Sequence, residues 1–392
     1  MSPDQRETTI SAPRLFGAFL RLGLTAFGGP AMVAYIRDLA VKQKGWVSGD
    51  SFKDGVALCQ SIPGATAMQV AAYAGLRAGG PLGAAAAYVG FGLPAFGLML
   101  LLSVAYQQTR DLQVVVSAFR GLQIIVVALV ANAAVNFGRG SIKNWSDALI
   151  ALGAAAFLVT GGSPILAVCA TAALGLVLYR GLPFPGPTSA CHAPGSQWAR
   201  LRPAAVLLMG LAAGLAALFL LDRQLFALAA LMLKVDLFAF GGGFASVPLM
   251  LHEVVGVRHW MDSRTFMDGI ALGQVTPGPI VITATFVGYQ LAGLPGAIIG
   301  TVSVFTPSLI ILTAAVPYFD RLQRSPLVRG ALRGVLASFV GLLMAVALRF
   351  GLAVPWNALS GAMAVLAFAA LRLEVDIIWV VLVGGAASAL LL

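Results

Sequence analysis

Charged residues, cysteine and histidine are scarce in this sequence. Only 10% of the 392 residues are charged, 59% are hydrophobic, and the mean hydropathy is +0.91. A water-soluble domain needs a polar surface, so this composition excludes a soluble domain of useful size. The three cysteines, Cys59, Cys169 and Cys191, and the three histidines show no paired or metal-ligand spacing. Disulfides, zinc sites, haem attachment and other cofactors are therefore not expected.

The sequence consists largely of long apolar runs. Runs of about 18 to 25 apolar residues recur along the chain, which is the length a helix needs to cross the hydrocarbon core. Barrel strands would instead alternate apolar and polar residues. The sequence thus predicts an all-α polytopic membrane protein with about 13 transmembrane segments, some of them broken or re-entrant. The net charge of +10 indicates loop orientation and the lipid bilayer as partner, not nucleic acid.

Two stretches of the chain share an unusual pattern. FKDGVALCQSIPG, from Phe52 to Gly64, recurs as FMDGIALGQVTPGP, from Phe266 to Pro279. Proline lacks the N–H that a helix needs, so each stretch predicts a helix break inside apolar sequence. The correspondence holds at an offset of 213 or 214 residues for further pairs: Ala26 and Ala239, Trp46 and Trp260, Pro94 and Pro307, Arg120 and Arg333, and Phe137 and Phe350. A constant offset over this length indicates an internal repeat.

The repeat defines the expected domains. We expect a tail at 1–12, a repeat at 13–179, a linker at 180–203 rich in Pro, Gly and Ser, a connecting helix at 204–221, and a second repeat at 222–392. Six segments, one connector and six more segments place the two repeats in opposite orientations. The N-terminus has no apolar core of a signal peptide, so we expect it in the cytoplasm.

Lysine and arginine placement tests this topology, since cytoplasmic loops collect these residues. If every segment crosses, 15 cations lie inside, including Arg258 and Arg264, and eight lie outside, including Arg110 and Arg120. The loop 37–53 then carries four cations on the wrong side. If the first segment of each repeat is re-entrant, that loop moves inside.

Four helix breaks are the candidate substrate site. A broken helix presents backbone N–H groups and a partial positive charge to an anion near the midplane. The elements are two glycine pairs and two Q-x-x-P-G motifs: Gly28 and Gly29; Gly241 and Gly242; Gln60, Pro63 and Gly64; Gln274, Pro277 and Gly278. Close helix packing or a hinge is the alternative explanation for such glycines.

Two cations occupy equivalent places inside the membrane. Arg21 and Lys234 each lie seven residues before the first glycine of a pair. A charge in the bilayer is costly and usually functional, so both are candidates for neutralising an anionic substrate. Snorkelling to the interface, or a pair between Lys234 and Asp236, would also explain them. For Arg120 and Arg333, near segment ends, snorkelling or loop anchoring explains the position as well as substrate contact does.

Three acids are candidates for coupling to protons. Asp54 and Asp268 are duplicated, and either couple transport to protons, pair with another segment, or stabilise a helix N-terminus. Asp236 is the better candidate for carrying a proton if it is buried, because desolvation favours the neutral carboxyl. The remaining acids considered are expected at the membrane interface: Asp111, Asp147, Asp222, Glu374 and Asp376.

The AFGGP element at 26–30 and the two Q-x-x-P-G stretches resemble the chromate ion transporter family in its two-domain form, over Phe16 to Leu392. The resemblance implies an inner-membrane antiporter that exports chromate, uses the proton gradient and confers chromate resistance. It also implies that the glycine and Q-x-x-P-G elements bind the substrate. This chain departs from internal symmetry with Gly243 in place of Pro30 and Pro279 in place of Ala65.

The sequence is also compatible with other functions. A membrane-embedded reductase would need a haem, flavin or iron–sulfur site, for which no Cys or His constellation exists, so an enzyme is not expected. A channel is harder to exclude, because sequence does not reveal alternating access. Sulfate is a tetrahedral dianion like chromate, and a sulfate carrier is an alternative. The sequence also leaves open whether the protein forms a homodimer.

Overall fold

The computed structural model describes residues 10–26, 31–179, 197–318 and 325–391, and within these ranges it contains helices and no β-strand. The α-helices of the described residues are α1 Ala12–Thr25, α2 Ala31–Arg37, α3 Gly49–Ser61, α4 Thr66–Thr109, α5 Gln113–Ser141, α6 Trp145–Val159, α7 Pro164–Leu178, α8 Gln197–Leu221, α9 Arg223–Phe238, α10 Ser246–Met250, α11 Ser263–Val275, α12 Thr283–Ala315, α13 Pro326–Ala353, α14 Ala358–Arg372 and α15 Ile377–Leu391. Short π-helical segments, Asp38–Gln43 and Leu251–Val257, follow α2 and α10.

Length and composition identify a multi-pass membrane protein. Among the described residues, five helical stretches are long and apolar enough to cross a bilayer: Thr66–Thr109, Gln113–Ser141, Leu201–Leu221, Ile280–Tyr318 and Pro326–Ala353. Helices α6, α7, α14 and α15 are apolar too but have 15 residues each. The prediction of an all-α membrane protein is therefore confirmed.

The two longest helices are in fact hairpins. The backbone of α4 leaves the helical region at Gly79 and Gly80, where Gly80 has φ +65°, a conformation that favours glycine. Its limbs, 66–78 and 81–109, fold back on each other, so that a Cβ at Gly92 would lie 2.8 Å from Met68. In α12 the same turn occurs at Ala292 and Gly293, and it joins the limbs 283–291 and 294–315.

Among the described residues, one further hairpin of the first half and two of the second half turn back at the predicted helix breaks. Helix α3 lies against the first limb of α4, where Ser51 Oγ is 3.1 Å from the Tyr73 hydroxyl, and the turn between them is 62–65. Helix α11 and the first limb of α12 repeat this arrangement around 276–282. Before this hairpin, α9 is followed by a turn at Gly241 and Gly242, the glycine turn. Across this turn, Lys234 of α9 forms an ion pair with Glu253. The first segment of the second half therefore folds back on itself, as the re-entrant alternative requires.

The halves exchange their last helices. Helices α6 and α7 of the first half pack on α13 of the second half, while α14 and α15 pack on α5 of the first. The helix backbones come close at these contacts. A Cβ at Gly334 would meet the carbonyl of Thr171, and a Cβ at Gly175 would meet the carbonyl of Gly330. Near the centre, the second limbs of α4 and α12 meet where the Tyr88 hydroxyl donates to the Phe305 carbonyl at 2.7 Å.

The structure corrects the side assigned to several cations. Arg110, Arg120 and Arg264 line one pocket, so they lie at the same end of the helix bundle. The count that placed Arg264 inside and the other two outside is therefore wrong. It assumed that every first segment crosses, whereas the segment 223–257 folds back at its glycine turn, so that Lys234 lies beside Glu253.

Candidate functional site

Three of the four predicted breaks meet at the centre of the bundle. The Gly64 amide donates to the Ala239 carbonyl at 2.9 Å, which joins the α3–α4 turn to the glycine turn of the second half. That glycine turn also approaches the third break, since a Cβ on Gly243 would lie 3.0 Å from Ile280. Gly278 of the third break lies beside Ala95 of α4. The fourth element, Gly28 and Gly29, lies outside the described residues.

Glycine is required at these turns. Gly64 and Gly278 have φ +117° and +120°, and Gly241 and Gly242 have φ +89° and +103°. Side chains with a Cβ rarely adopt these angles. The preceding Pro63 and Pro277 are buried and end the helices α3 and α11. These turns lie outside the regular helical hydrogen-bond pattern, and because the Gly64 amide is bonded to the Ala239 carbonyl, an anion here would bind to other amides of the turns.

Polar side chains surround Gly64. Asp236 is completely buried, and its Oδ2 accepts hydrogen bonds from the Ser308 backbone amide at 2.7 Å and the Ser308 hydroxyl at 2.6 Å. Gln69, also buried, donates from Nε2 to the Pro63 carbonyl at 2.6 Å. The Asp236 Oδ1 and Gln69 Oε1 atoms have no hydrogen-bond partner among the described residues. The Gly64 turn therefore presents unpaired acceptors, which suit a proton donor.

The Gly278 turn presents the opposite chemistry. Gln274 is partly buried at the end of α11, and its Nε2 donor has no hydrogen-bond partner among the described residues. An unpaired buried donor costs free energy unless a ligand or water accepts from it. The corresponding Gln60 is exposed. Of the two predicted glutamines, Gln274 is the one placed as a buried donor.

The two predicted membrane cations differ in their partners. Lys234 Nζ lies 2.5 Å from Glu253 Oε1, and Glu253 also has Arg258 Nε at 3.8 Å. Lys234 thus pairs with Glu253, and the alternative of a pair with Asp236 is wrong. Arg21 is exposed, and within the described part of the chain no ion pair involves it. Glu253 escaped the sequence analysis because nothing in its spacing relates it to Lys234.

The duplicated acids lie away from these turns. Asp268 is 5% exposed, and accepts hydrogen bonds from the Tyr106 hydroxyl at 2.9 Å and Gln123 Nε2 at 2.8 Å. It is the sixth residue of α11 and lies beyond the first turn, where an acid would offset the macrodipole; the N-cap is Asp262, which accepts from the Thr265 amide. The helix-end explanation is therefore wrong for Asp268. Asp54 is partly buried in α3.

One acid expected at the interface is buried. Asp147 has no exposed surface and accepts from Arg333 Nε at 3.1 Å and Nη2 at 2.8 Å, as well as from the Tyr179 hydroxyl. The ion pair joins α6 to α13 and explains why Arg333 lies near a segment end. Ser308 and Gln69 were also missed. The signal for Ser308 was its place directly after the duplicated Pro307, where the first half has Ala95.

Comparison with known proteins matches both halves of the chain. The family described as chromate transporter matches residues 13–176 and again 226–389. A chromate transport protein of Cupriavidus metallidurans is 31% identical over 85% of this chain and 81% of its own length, and one of Pseudomonas aeruginosa is 33% identical over 85% and 80%. An uncharacterized transporter of Methanocaldococcus jannaschii is 46% identical over 90% and 88%. No solved structure matches the chain. With the family pattern present twice, on the two halves whose broken helices meet at the centre, the chain belongs to the chromate transporter family.

Proposed function

We propose that this protein exports chromate from the cytoplasm across the inner membrane, in exchange for protons, and so confers chromate resistance. The family and its chromate-transporting relatives support the substrate. The observation that carries the proposal is the meeting of three helix breaks, one with an unpaired donor and one with unpaired acceptors. An oxyanion and a proton can bind to such neighbouring groups, and exchange of the two is the simplest use of both.

The proposed topology has inverted halves. Each half would contribute two re-entrant hairpins and four crossings: the second limb of the long helical hairpin and the three helices after it. With α8 as a ninth crossing, the second half is inverted. In this topology the four cations of 37–53 lie inside, and Arg258 and Arg264 lie outside. The number of lysine and arginine residues therefore changes from 15 inside and eight outside to 17 inside and six outside. The stronger bias toward the inside supports this topology.

The proposed site divides its tasks between the turns. Gln274 and the Gly278 amide would donate to the oxygens of the anion, because the Gly64 amide is already bonded to the Ala239 carbonyl. Gly64 and the glycine pairs, Gly28 with Gly29 and Gly241 with Gly242, are proposed to let the backbone approach the anion closely. Pro63 and Pro277 hold these turns open, and Gln60 would bind at the rim. Lys234 and Arg21 would offset the dianion's charge. Because Lys234 is paired with Glu253, anion binding would have to compete with that carboxylate.

Proton coupling is proposed to depend on Asp236. A proton on Oδ1 would turn an unpaired acceptor into a donor toward the centre of the bundle. Asp268 and Asp54 would serve in coupling at the ends of the second hairpins. The proposal predicts that Asp236→Asn removes the dependence of transport on the proton gradient.

The test is transport in inside-out membrane vesicles. We expect labelled chromate to accumulate in the vesicles against its gradient when protons are pumped into the vesicle interior. Sulfate should compete if the site recognises only the shape and charge of a tetrahedral dianion. Flux that only follows the chromate gradient would indicate a channel and overturn the carrier. Transport of sulfate without chromate would indicate a sulfate carrier.

Lys234→Gln tests the role of the cation. We expect chromate transport to fall at least tenfold, which corresponds to roughly the free energy of one charge-assisted hydrogen bond. Insertion of the protein into the membrane should be unchanged. The matched control is Lys42→Gln, since Lys42 also pairs with an acid but is exposed on the π segment. Normal transport by a well-inserted Lys234→Gln protein would remove Lys234 from the site.

A further inference from the structure

A pocket at one end of the bundle is lined by three arginines. Arg110, Arg120 and Arg264 surround a cavity of about 220 Å³ between the ends of α4, α5 and α11. All three residues are exposed, and among the described residues no ion pair involves any of them. Three like charges around one cavity repel each other, so an anion between them would relieve that repulsion.

The internal repeat shows what this pocket lacks. Arg333, the counterpart of Arg120, is neutralised by the buried carboxylate of Asp147 in α6. At the counterpart of Asp147, in the same third position of α14, the chain has Ser360. Pro355, just before α14, lines the arginine pocket. Arg120 thus keeps the position of its counterpart without the carboxylate that pairs with it.

The floor of the pocket is polar. Asp268 lies there, and each of its oxygens accepts from a neutral donor, the Tyr106 hydroxyl or the Gln123 amide. The Asp268 carboxylate would repel an anion, but three arginines line the same cavity and outnumber it in charge. Asp268 precedes Gln274 by six residues, about 9 Å along the helix axis, so the pocket is separate from the central turns.

We propose that this pocket binds a tetrahedral oxyanion, which takes the place of the missing carboxylate beside Arg120. Guanidinium groups recognise such oxygens through paired N–H donors. The oxyanion is either a free sulfate-like dianion or the phosphate of an anionic lipid headgroup, which share this chemistry. The site does not depend on the direction or the proton coupling of chromate transport.

The first test measures binding with sulfate as the probe. Calorimetry on the full-length protein in detergent, at constant ionic strength with chloride as the reference, should show a sulfate site that weakens at least about tenfold in Arg120→Gln. Arg223→Gln is the matched control, because Arg223 is an exposed arginine stacked on Phe219 outside the pocket. Lys234→Gln should leave this site intact, which separates it from the central one.

Ser360→Asp is the decisive variant, because it restores the carboxylate that Arg333 has. It should abolish sulfate binding at the pocket while the protein stays folded, and Arg120→Lys should weaken binding less than Arg120→Gln. If sulfate does not bind, retention of phosphatidylglycerol over phosphatidylcholine in native mass spectrometry, lost in Arg120→Gln and Ser360→Asp, would identify the lipid source. Equal binding of both probes by the wild-type protein and these variants would overturn the proposal.

Discussion

The two halves of the molecule keep the same turns but differ in the side chains around them. Gly64 and Gly278 have nearly the same φ, +117° and +120°. Ser308 lies against Gly64, whereas its counterpart Ala95 lies against Gly278. Asp236, which bonds Ser308, has a glycine, Gly23, as its counterpart. Duplication has therefore preserved the backbone geometry, while among the described residues a buried carboxyl at this position accompanies the Gly64 turn and not the Gly278 turn.

The same divergence is found at the ends of the bundle. Arg333 is locked in a buried ion pair with Asp147, and its counterpart Arg120 lines a pocket. A residue can thus become structural in one half and remain available for binding in the other. Variants made in matched pairs can break or sharpen both comparisons.

The largest effect is expected from Arg333→Gln. Removing one partner leaves the buried Asp147 carboxylate uncompensated, which destabilises proteins by about 3–5 kcal/mol. Arg120→Gln should change stability by less than about 0.5 kcal/mol, since it breaks no ion pair. Unfolding of both purified variants in a denaturant titration would test this. Equal stability losses would mean that the two arginines have not diverged.

A smaller effect is expected from alanine at the turns. Gly64→Ala forces a Cβ into the left-handed region and against the Ser308 hydroxyl, so a loss of about 2–4 kcal/mol and of transport should follow. Gly278→Ala shares the backbone strain, but of the described residues its Cβ would meet only the Ala95 methyl, at 2.8 Å. It should therefore cost less. Gly17→Ala is the control, because no atom of the described residues lies within 4 Å of its Cβ position.

The smallest effect is expected from Ser308→Ala. The change removes one hydrogen bond to Asp236 and leaves the backbone amide bond, so stability should fall by about 1–2 kcal/mol. The proton dependence of transport should also shift, because Asp236 loses a donor. The counterpart Ala95→Ser should leave that dependence unchanged. A shift of the same size in both variants would contradict a special role for the Gly64 side.

The sequence was sufficient for the repeat, the membrane class and the three breaks that lie within the described residues, because these depend on local pattern. Proline and glycine at a fixed offset predict where helices end, whichever segment they pack against. Contacts such as those of Lys234 with Glu253 and of Arg333 with Asp147 depend on packing between segments far apart in the chain. Hydropathy also could not distinguish a crossing helix from a re-entrant hairpin, since both are apolar. The assignment of Arg264 to the inner side failed for this reason.

The exchange of terminal helices between halves affects how the protein is made. When the first half leaves the ribosome, α5 has no α14 or α15 to cover it, and α6 and α7 have no α13. The helices of the first half therefore stay incompletely packed in the membrane until the second half is made, and in this state they can pack against the wrong helices. Because both halves belong to one chain, the second half is made at a high effective concentration near the first. Assembly of one chain thus resembles dimerisation of two, and mutations in the linker expected at 180–203 should alter yield before they alter transport.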